Sequence, residues 1–303
     1  REANQFSWAP MQEVAKLLLG IFRVAALQSD DRQAMQGIGM VRRQPQLHLA
    51  KLLGLGQKFD LPVVSQSYGT VPNSEWKNRR FHETRGFLER PDWTASDTLN
   101  ASIGQGFLIL NPLQLAVMAG RIAGGRKIAP RLLGIGKDPA PFLEMDPKHL
   151  ETVRGGMWEV VNGDGTAGAS RLQIPGVEMC GKTGTAQVRK IVGSQRGQSG
   201  DWKYRDHGLF VFFAPVDNPR YAGSVVIDHG MGGSRAAAPV AKDVLTYLFD
   251  KQKAMEALLP LEEAWGGNIA QRMERDARRW AAMQATKKNV QQAEAEQSGA
   301  ARA

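Results

Sequence analysis

The chain carries a single cysteine, Cys180, in 303 residues, so no intramolecular disulfide framework holds it together and the redox compartment stays open. Cys180 is expected to be a small core residue. Long apolar runs are missing too: the best candidate, Leu17 to Leu27, is interrupted by Gly20 and Arg23, far from the roughly 20 apolar residues of a spanning helix. The opening Arg1-Glu2-Ala3-Asn4 lacks the basic-then-apolar layout of a signal peptide, and any membrane anchor is expected outside these residues. The formal charge is +9 with a pI near 9.8, yet no run of five Lys/Arg occurs and no zinc-finger, RRM or KH pattern is found. Nucleic acid is therefore discounted as a partner. His48, His82, His149, His207 and His229 show no metal-ligand spacing, and no metal or other cofactor is expected. There is no internal repeat.

What is present suffices for a packed domain: 42% of the side chains are hydrophobic, enough for one large core or two small ones. Residues 1–48 are a mixed segment, helically spaced over Met11 to Gln28 and polar over Arg32 to Gln46, and count as a divergent or incomplete N-terminal part. Over 49–250, Gly-rich loops alternate with patterned elements without a linker, as in one domain. Asn111-Pro112 is a cap followed by proline, and Leu113, Leu115, Ala116, Ala119 and Ile122 keep helical spacing until Gly124-Gly125. A second helix runs from Asp146-Pro147 to Asn162-Gly163. Val177 to Arg189, Gly208 to Ala214 and Tyr221 to Ile227 read as strands, the last two joined by a turn at Pro215 to Pro219, which favours an antiparallel meander. Pro239 opens another amphipathic helix with Val240, Val244, Leu245 and Leu248 on one face. Beyond Lys251 the composition predicts helix giving way to a disordered polar tail from about Ala285.

The richest stretch, Gly176-Val177-Glu178-Met179-Cys180-Gly181-Lys182-Thr183-Gly184-Thr185, satisfies two motifs. Gly176 to Thr183 fits the phosphate loop G-x-x-x-x-G-K-[ST], and Val225-Val226-Ile227-Asp228 could pass as its magnesium strand, so a nucleotide hydrolase is one alternative. That loop requires a strand before its first glycine and a helix from the Lys-Thr. Here Pro175 closes a short polar run upstream, while Thr185 and Val188 downstream suit a strand. In the other reading Lys182-Thr183-Gly184 is K-T-G on a strand beside a cleft. Lys182 then supplies a cation, the hydroxyls of Thr183 and Thr185 hold a carboxylate, and Gly184 lets another backbone come close.

The neighbours favour K-T-G. Ala101-Ser102-Ile103-Gly104-Gln105-Gly106 before Asn111-Pro112-Leu113-Gln114, then Gly163-Asp164-Gly165-Thr166-Ala167, His207-Gly208-Leu209-Phe210, and Gly232-Gly233 before Ala236-Ala237-Ala238-Pro239 together resemble the penicillin-binding protein 2 family, in the family's order. The resemblance covers about Leu52 to Asp250. It implies an α/β (α+β) transpeptidase fold, an antiparallel sheet flanked by helices, with its N-terminal part incomplete. It also implies a periplasmic enzyme of the bacterial inner membrane that cross-links peptidoglycan stem peptides through a serine acyl-enzyme and is trapped by β-lactams. Membrane proteins of the elongation machinery are its implied partners. Lys182, Thr183 and Thr185 would bind the terminal carboxylate, and the Thr185 N–H would form half of an oxyanion hole. Gly163-x-Gly165-x-x-Gly168 mimics a dinucleotide loop but follows a helix, and is expected to be a turn.

The sequence departs from the family where the nucleophile belongs. Ser29-Asp30-Asp31 sits where S-x-D is expected, but Arg32-Gln33-Ala34-Met35-Gln36 replaces an aromatic-rich run; it is either the second motif, with Ser29 and Asp31 catalytic, or a solvated polar turn. Ser74-Glu75-Trp76-Lys77 is a literal S-x-x-K, but it comes after the S-x-D candidate and corresponds to a surface loop of the family. Ser74 is rejected, and the serine is expected before residue 1. The chain alone is then inactive, whether an enzyme fragment or a catalytically dead scaffold of the elongation machinery. Trp76, Trp93, Trp158 and Trp202 are expected to anchor packing, His207 and His229 to line the cleft, and Asp206 and Asp228 to be ordinary strand-end charges.

Overall fold

Asn111 and Pro112 start the helix that the rest of the domain packs around, α4 (Pro112–Gly124), in a computed structural model that describes residues 45–63, 67–102, 106–134, 139–186, 188 and 201–300. The Asn111 side chain accepts the Gln114 N–H, and the Gln114 side chain accepts the Asn111 N–H, so two of the helix's orphan donors are satisfied reciprocally. Met118, Ala119 and Ile122 are wholly buried. So are two polar residues of the same helix, each with partners. Gln114 donates to the Gln57 and Tyr68 carbonyls, and Arg121 donates to those of Leu52 and Ile128 and to the Gln57 side chain. These bonds fasten the coil that follows α1 (Pro45–Leu52) onto α4. Two further helices, α2 (Ser74–Glu83) and α3 (Ala95–Ser102), precede α4, and α5 (Pro147–Asn162) follows it.

Three strands form an antiparallel sheet in the order β1 (Cys180–Ala186), β2 (His207–Ala214), β3 (Tyr221–Ile227). The register sets Lys182 opposite Val211 and Phe210 opposite Val225. Every residue of β2 is buried, which its unbroken apolar run requires of a central strand covered on both faces. Leu209, Val211 and Phe213 share a core with Cys180, Ala186 and the buried sides of α4 and α5. Phe210 and Phe212 stack on the opposite face, at 6.2 Å between ring centres. Each such side chain contributes roughly 1.5–3 kcal/mol by leaving water. Helix α4 packs on β2 and β3, α5 on β1, and a π-helical turn at Gly233–Ala237 touches all three strands before α6 (Ala238–Phe249).

The meander, the two capped helices and the turn at 163–168 stand as the sequence predicted. Five boundaries differ, the first being the end of β1 at Ala186 where Arg189 was expected. β1 begins at Cys180 and not Val177, because the Pro175-Gly176 turn, with Gly176 at φ 73°, folds Val177 back onto Ile174. β2 starts one residue early, at His207. α6 starts at Ala238, with Pro239 inside its first turn. The tail is helical where disorder was expected: α7 (Lys251–Ala264) and α8 (Ile269–Ala300) continue through the polar sequence. Its Ala, Gln, Glu, Lys and Arg residues are too polar to build a core but are strong helix formers, and Arg278 pairs with Glu274 one turn away. The chain divides into two compact units, residues 1–245 and 246–303. Among the described residues no helix is long and apolar enough to cross a membrane. The Met11 to Gln28 segment lies outside the described residues.

Candidate active site

Lys182, Thr183, Gly184 and Thr185 occupy consecutive positions of β1, whose other edge carries no strand among the described residues. Lys182, Thr183 and Thr185 are half-buried, and Gly184 is buried. The Lys182 ammonium donates to the Thr183 carbonyl at 2.8 Å. The Thr183 hydroxyl lies 2.8 Å from that of Thr166, in the loop that α5 delivers beside β1. The phosphate-loop geometry is absent, since Lys182 and Thr183 sit in mid-strand and no helix begins there.

The glycines around β1 answer to close approaches. Gly181 lies under the Phe210 ring, where a methyl group would collide with it. A Cβ on Gly233 would run into the carbonyl oxygens of Leu209 and Gly184, and one on Gly208 would sit 2.7 Å from the Gly232 oxygen. The Gly232-Gly233 backbone therefore lies directly on the β1–β2 ladder beside Thr185. On the α5 side, Cys180 is wholly buried, and burial pushes its thiol up to about 12. It is an inert core residue, as expected.

The end of β1 is held by a polar cluster that the sequence read as ordinary charges and cleft residues. Asp206 is buried and accepts the Val188 N–H, fixing the chain as it leaves β1, while its carbonyl accepts the Met231 N–H. His207, also buried, accepts the His229 N–H on Nδ1 at 2.8 Å. Burial pulls the His207 pKa below its ordinary value, against the opposing pull of Asp228 3.4 Å away. The His229 ring packs at a tilt against those of Trp202 and His207, at 4.2 and 4.7 Å between ring centres. His229 and Met231 hold φ of 57° and 66°, a strained backbone region for such residues. Gly230, Gly232 and Gly233 mark a turn after the strand, but nothing in the sequence signalled the left-handed backbone at His229 and Met231.

Ser74-Glu75-Trp76-Lys77 is not a surface loop: Ser74 opens α2, capped by Asn73, with Lys77 one turn on. That is the geometry a nucleophile would need, but Lys77 is engaged elsewhere. Its ammonium is buried and donates to the Asp97 carboxylate and the Asp92 carbonyl, both at 2.7 Å. Burial alone would raise the Asp97 carboxyl, but bonds from Lys77 and from the Thr94 hydroxyl and amide hold it below the usual carboxylate range. Ser74 itself is exposed, and α2 is not among the elements packed on β1. Ser29 and Asp31 lie outside the described residues. Trp76 packs against Phe107, Trp93 donates to Thr98, and Trp158 donates to Glu178.

A family model described as the penicillin binding protein transpeptidase domain matches residues 43–246. The chain belongs to that family. It is 35% identical over 214 residues to the peptidoglycan D,D-transpeptidase MrdA of Acinetobacter baumannii, a match covering 64% of this chain and 29% of the relative. With the MrdA of Haemophilus influenzae it is 30% identical over 216 residues, covering 67% and 32%. Solved relatives include Pseudomonas aeruginosa PBP2 in complex with WCK 5153, at 32% identity and a TM-score of 0.52, covering 69% of this chain and 43% of that one. A complex between PBP2 and MreC from Helicobacter pylori matches at 26% identity and a TM-score of 0.57, covering 79% and 39%. The penicillin-binding protein 2 resemblance and the transpeptidase fold are thus established for this member of the family. The chain spans about a third of the length of the curated relatives it matches.

Proposed function

We propose that this chain forms the carboxylate-binding side of a peptidoglycan D,D-transpeptidase active site. The supporting observation is the placement of Lys182, Thr183 and Thr185, half-exposed on a strand whose outer edge has no strand partner among the described residues. A stem peptide ending in D-Ala-D-Ala adds to that edge as an extended strand. Its terminal carboxylate sits against the Lys182 ammonium and the two threonine hydroxyls. The Thr185 N–H then points to the oxygen on which charge develops.

The reaction is acyl transfer. A serine Oγ attacks the carbonyl of the penultimate D-Ala, the terminal D-Ala leaves as a free amine after taking a proton, and the amine of a second stem peptide displaces the serine. A β-lactam acylates the same serine. Within this chain Ser74 does not serve, because its Lys77 is committed to Asp97 and Asp92. The described residues thus carry groups for binding the donor carboxylate without a serine placed to form an acyl-enzyme. The working protein acts on the periplasmic side of the bacterial inner membrane beside elongation-machinery proteins; the PBP2–MreC complex of Helicobacter pylori supports that partner class. Labelling with a fluorescent penicillin, followed by intact-mass analysis, tests the nucleophile half of this reading. A folded sample is expected to show no adduct, and an adduct on Ser74 or Ser29 overturns it.

A further inference from the structure

Helix α8 leaves a row of apolar side chains uncovered. Met273, Trp280, Met283 and Val290 are 66%, 61%, 54% and 52% exposed, and their spacing alternates four and three residues once Asp276 and Lys287 are included. At 100° per residue these six positions fall on one stripe about 100° wide, the a/d seam of a coiled coil. Their segment, 273–290, is roughly 27 Å long at about 1.5 Å per residue. The two charged members of the seam, both exposed, decide what can cover it.

We propose that α8 pairs with α8 of a second copy of this chain as an antiparallel coiled coil whose two-fold axis passes between Ala281 and Ala282. With the axis there, each of these six residues meets a fitting one: Trp280 packs on Met283 of the other copy, Met273 on Val290, and Asp276 on Lys287. Symmetry repeats each contact, so two Asp276–Lys287 pairs flank a central Trp–Met layer. The flanking positions agree. Arg279 faces Thr286 and Ala277 faces Gln284, with no like charges opposed. A parallel pair would instead set Asp276 against Asp276 and Lys287 against Lys287, which like-charge repulsion disfavours. A helix lying on a lipid surface would keep both charges off its apolar stripe. Neither competitor uses Asp276 and Lys287 together. The surface goes beyond the transpeptidase reading and does not depend on it, since α8 lies outside the matched residues 43–246.

Sedimentation velocity of the full chain tests the pairing with charge exchanges at two exposed positions. The unaltered chain is expected to self-associate reversibly. Asp276→Lys or Lys287→Asp alone should each weaken association about tenfold or more by opposing like charges twice across the seam. An equimolar mixture of those two single variants should associate as well as the unaltered chain, because every seam pair is again opposite in sign. The double variant should also recover, and circular dichroism should show unchanged helix content throughout. A chain that stays monomeric, single variants that associate normally, or a mixture that does not recover would overturn the proposal. A monomer that co-sediments with phosphatidylglycerol vesicles would overturn it too and make α8 a membrane-surface helix.

Discussion

A methyl group at Gly233 would lie 2.6 Å from the Gly184 carbonyl oxygen and closer still to that of Leu209, backbone atoms fixed in the β1–β2 ladder. Gly233→Ala is therefore expected to destabilise the domain by about 3 kcal/mol or more, read from the denaturant midpoint. Thr166 has a milder role: its hydroxyl is positioned to hold that of Thr183, and Thr166→Val should cost roughly 0.5–1.5 kcal/mol while freeing the Thr183 rotamer. His207 gives the site a pH dependence. Its pKa is depressed in the fold relative to an unfolded value of about 6.5, so the neutral form is favoured and its contribution is fully present above that value. The contribution is lost as pH falls through the depressed folded value. Thermal melts between pH 7.5 and 5 should fall more steeply for the native protein than for His207→Asn, which keeps an acceptor without a titrating ring. Of these residues, Lys182 to Thr185 were legible because K-T-G needs only adjacent positions on one strand. Thr166 was not, since its contact joins residues 17 apart and depends on how the loop after α5 turns.

The helices before the sheet hang on a few buried polar bonds. Lys77 and Asp97 join α2 to α3 with side-chain exposures of 6% and 12%, so removing one partner strands the other charge out of water. Lys77→Met is expected to cost about 3–5 kcal/mol, and Lys77→Met with Asp97→Leu clearly less than the separate losses added together. The same bond explains how a literal S-x-x-K can open a helix with its lysine committed elsewhere: the sequence shows the spacing, while the fold decides where the amine goes. Helix α4 was readable from its cap and periodicity, and Asn111→Ala should cost about 1 kcal/mol by removing the reciprocal cap. Its buried Gln114 and Arg121 were not, because their partners include backbone carbonyls up to 69 positions away.

For the whole molecule, the β1–β2–β3 order brings K-T-G to one edge of the sheet and lets β2 bury both faces behind it. That much followed from three strand-like runs and a short turn between the last two. The helical tail did not, because low hydrophobicity speaks against a core and says little about a helix of strong formers carrying its own ion pair. The central proposal is a carboxylate-binding edge on β1. The most direct test is an NMR titration of the isotopically labelled chain with an N-acyl-D-Ala-D-Ala peptide, comparing the native chain with Lys182→Ala. The account predicts saturable shifts at the amides of residues 182–185 that the Lys182→Ala variant loses while the rest of its spectrum stays folded. Shifts confined to other elements, or unchanged binding without Lys182, would contradict it.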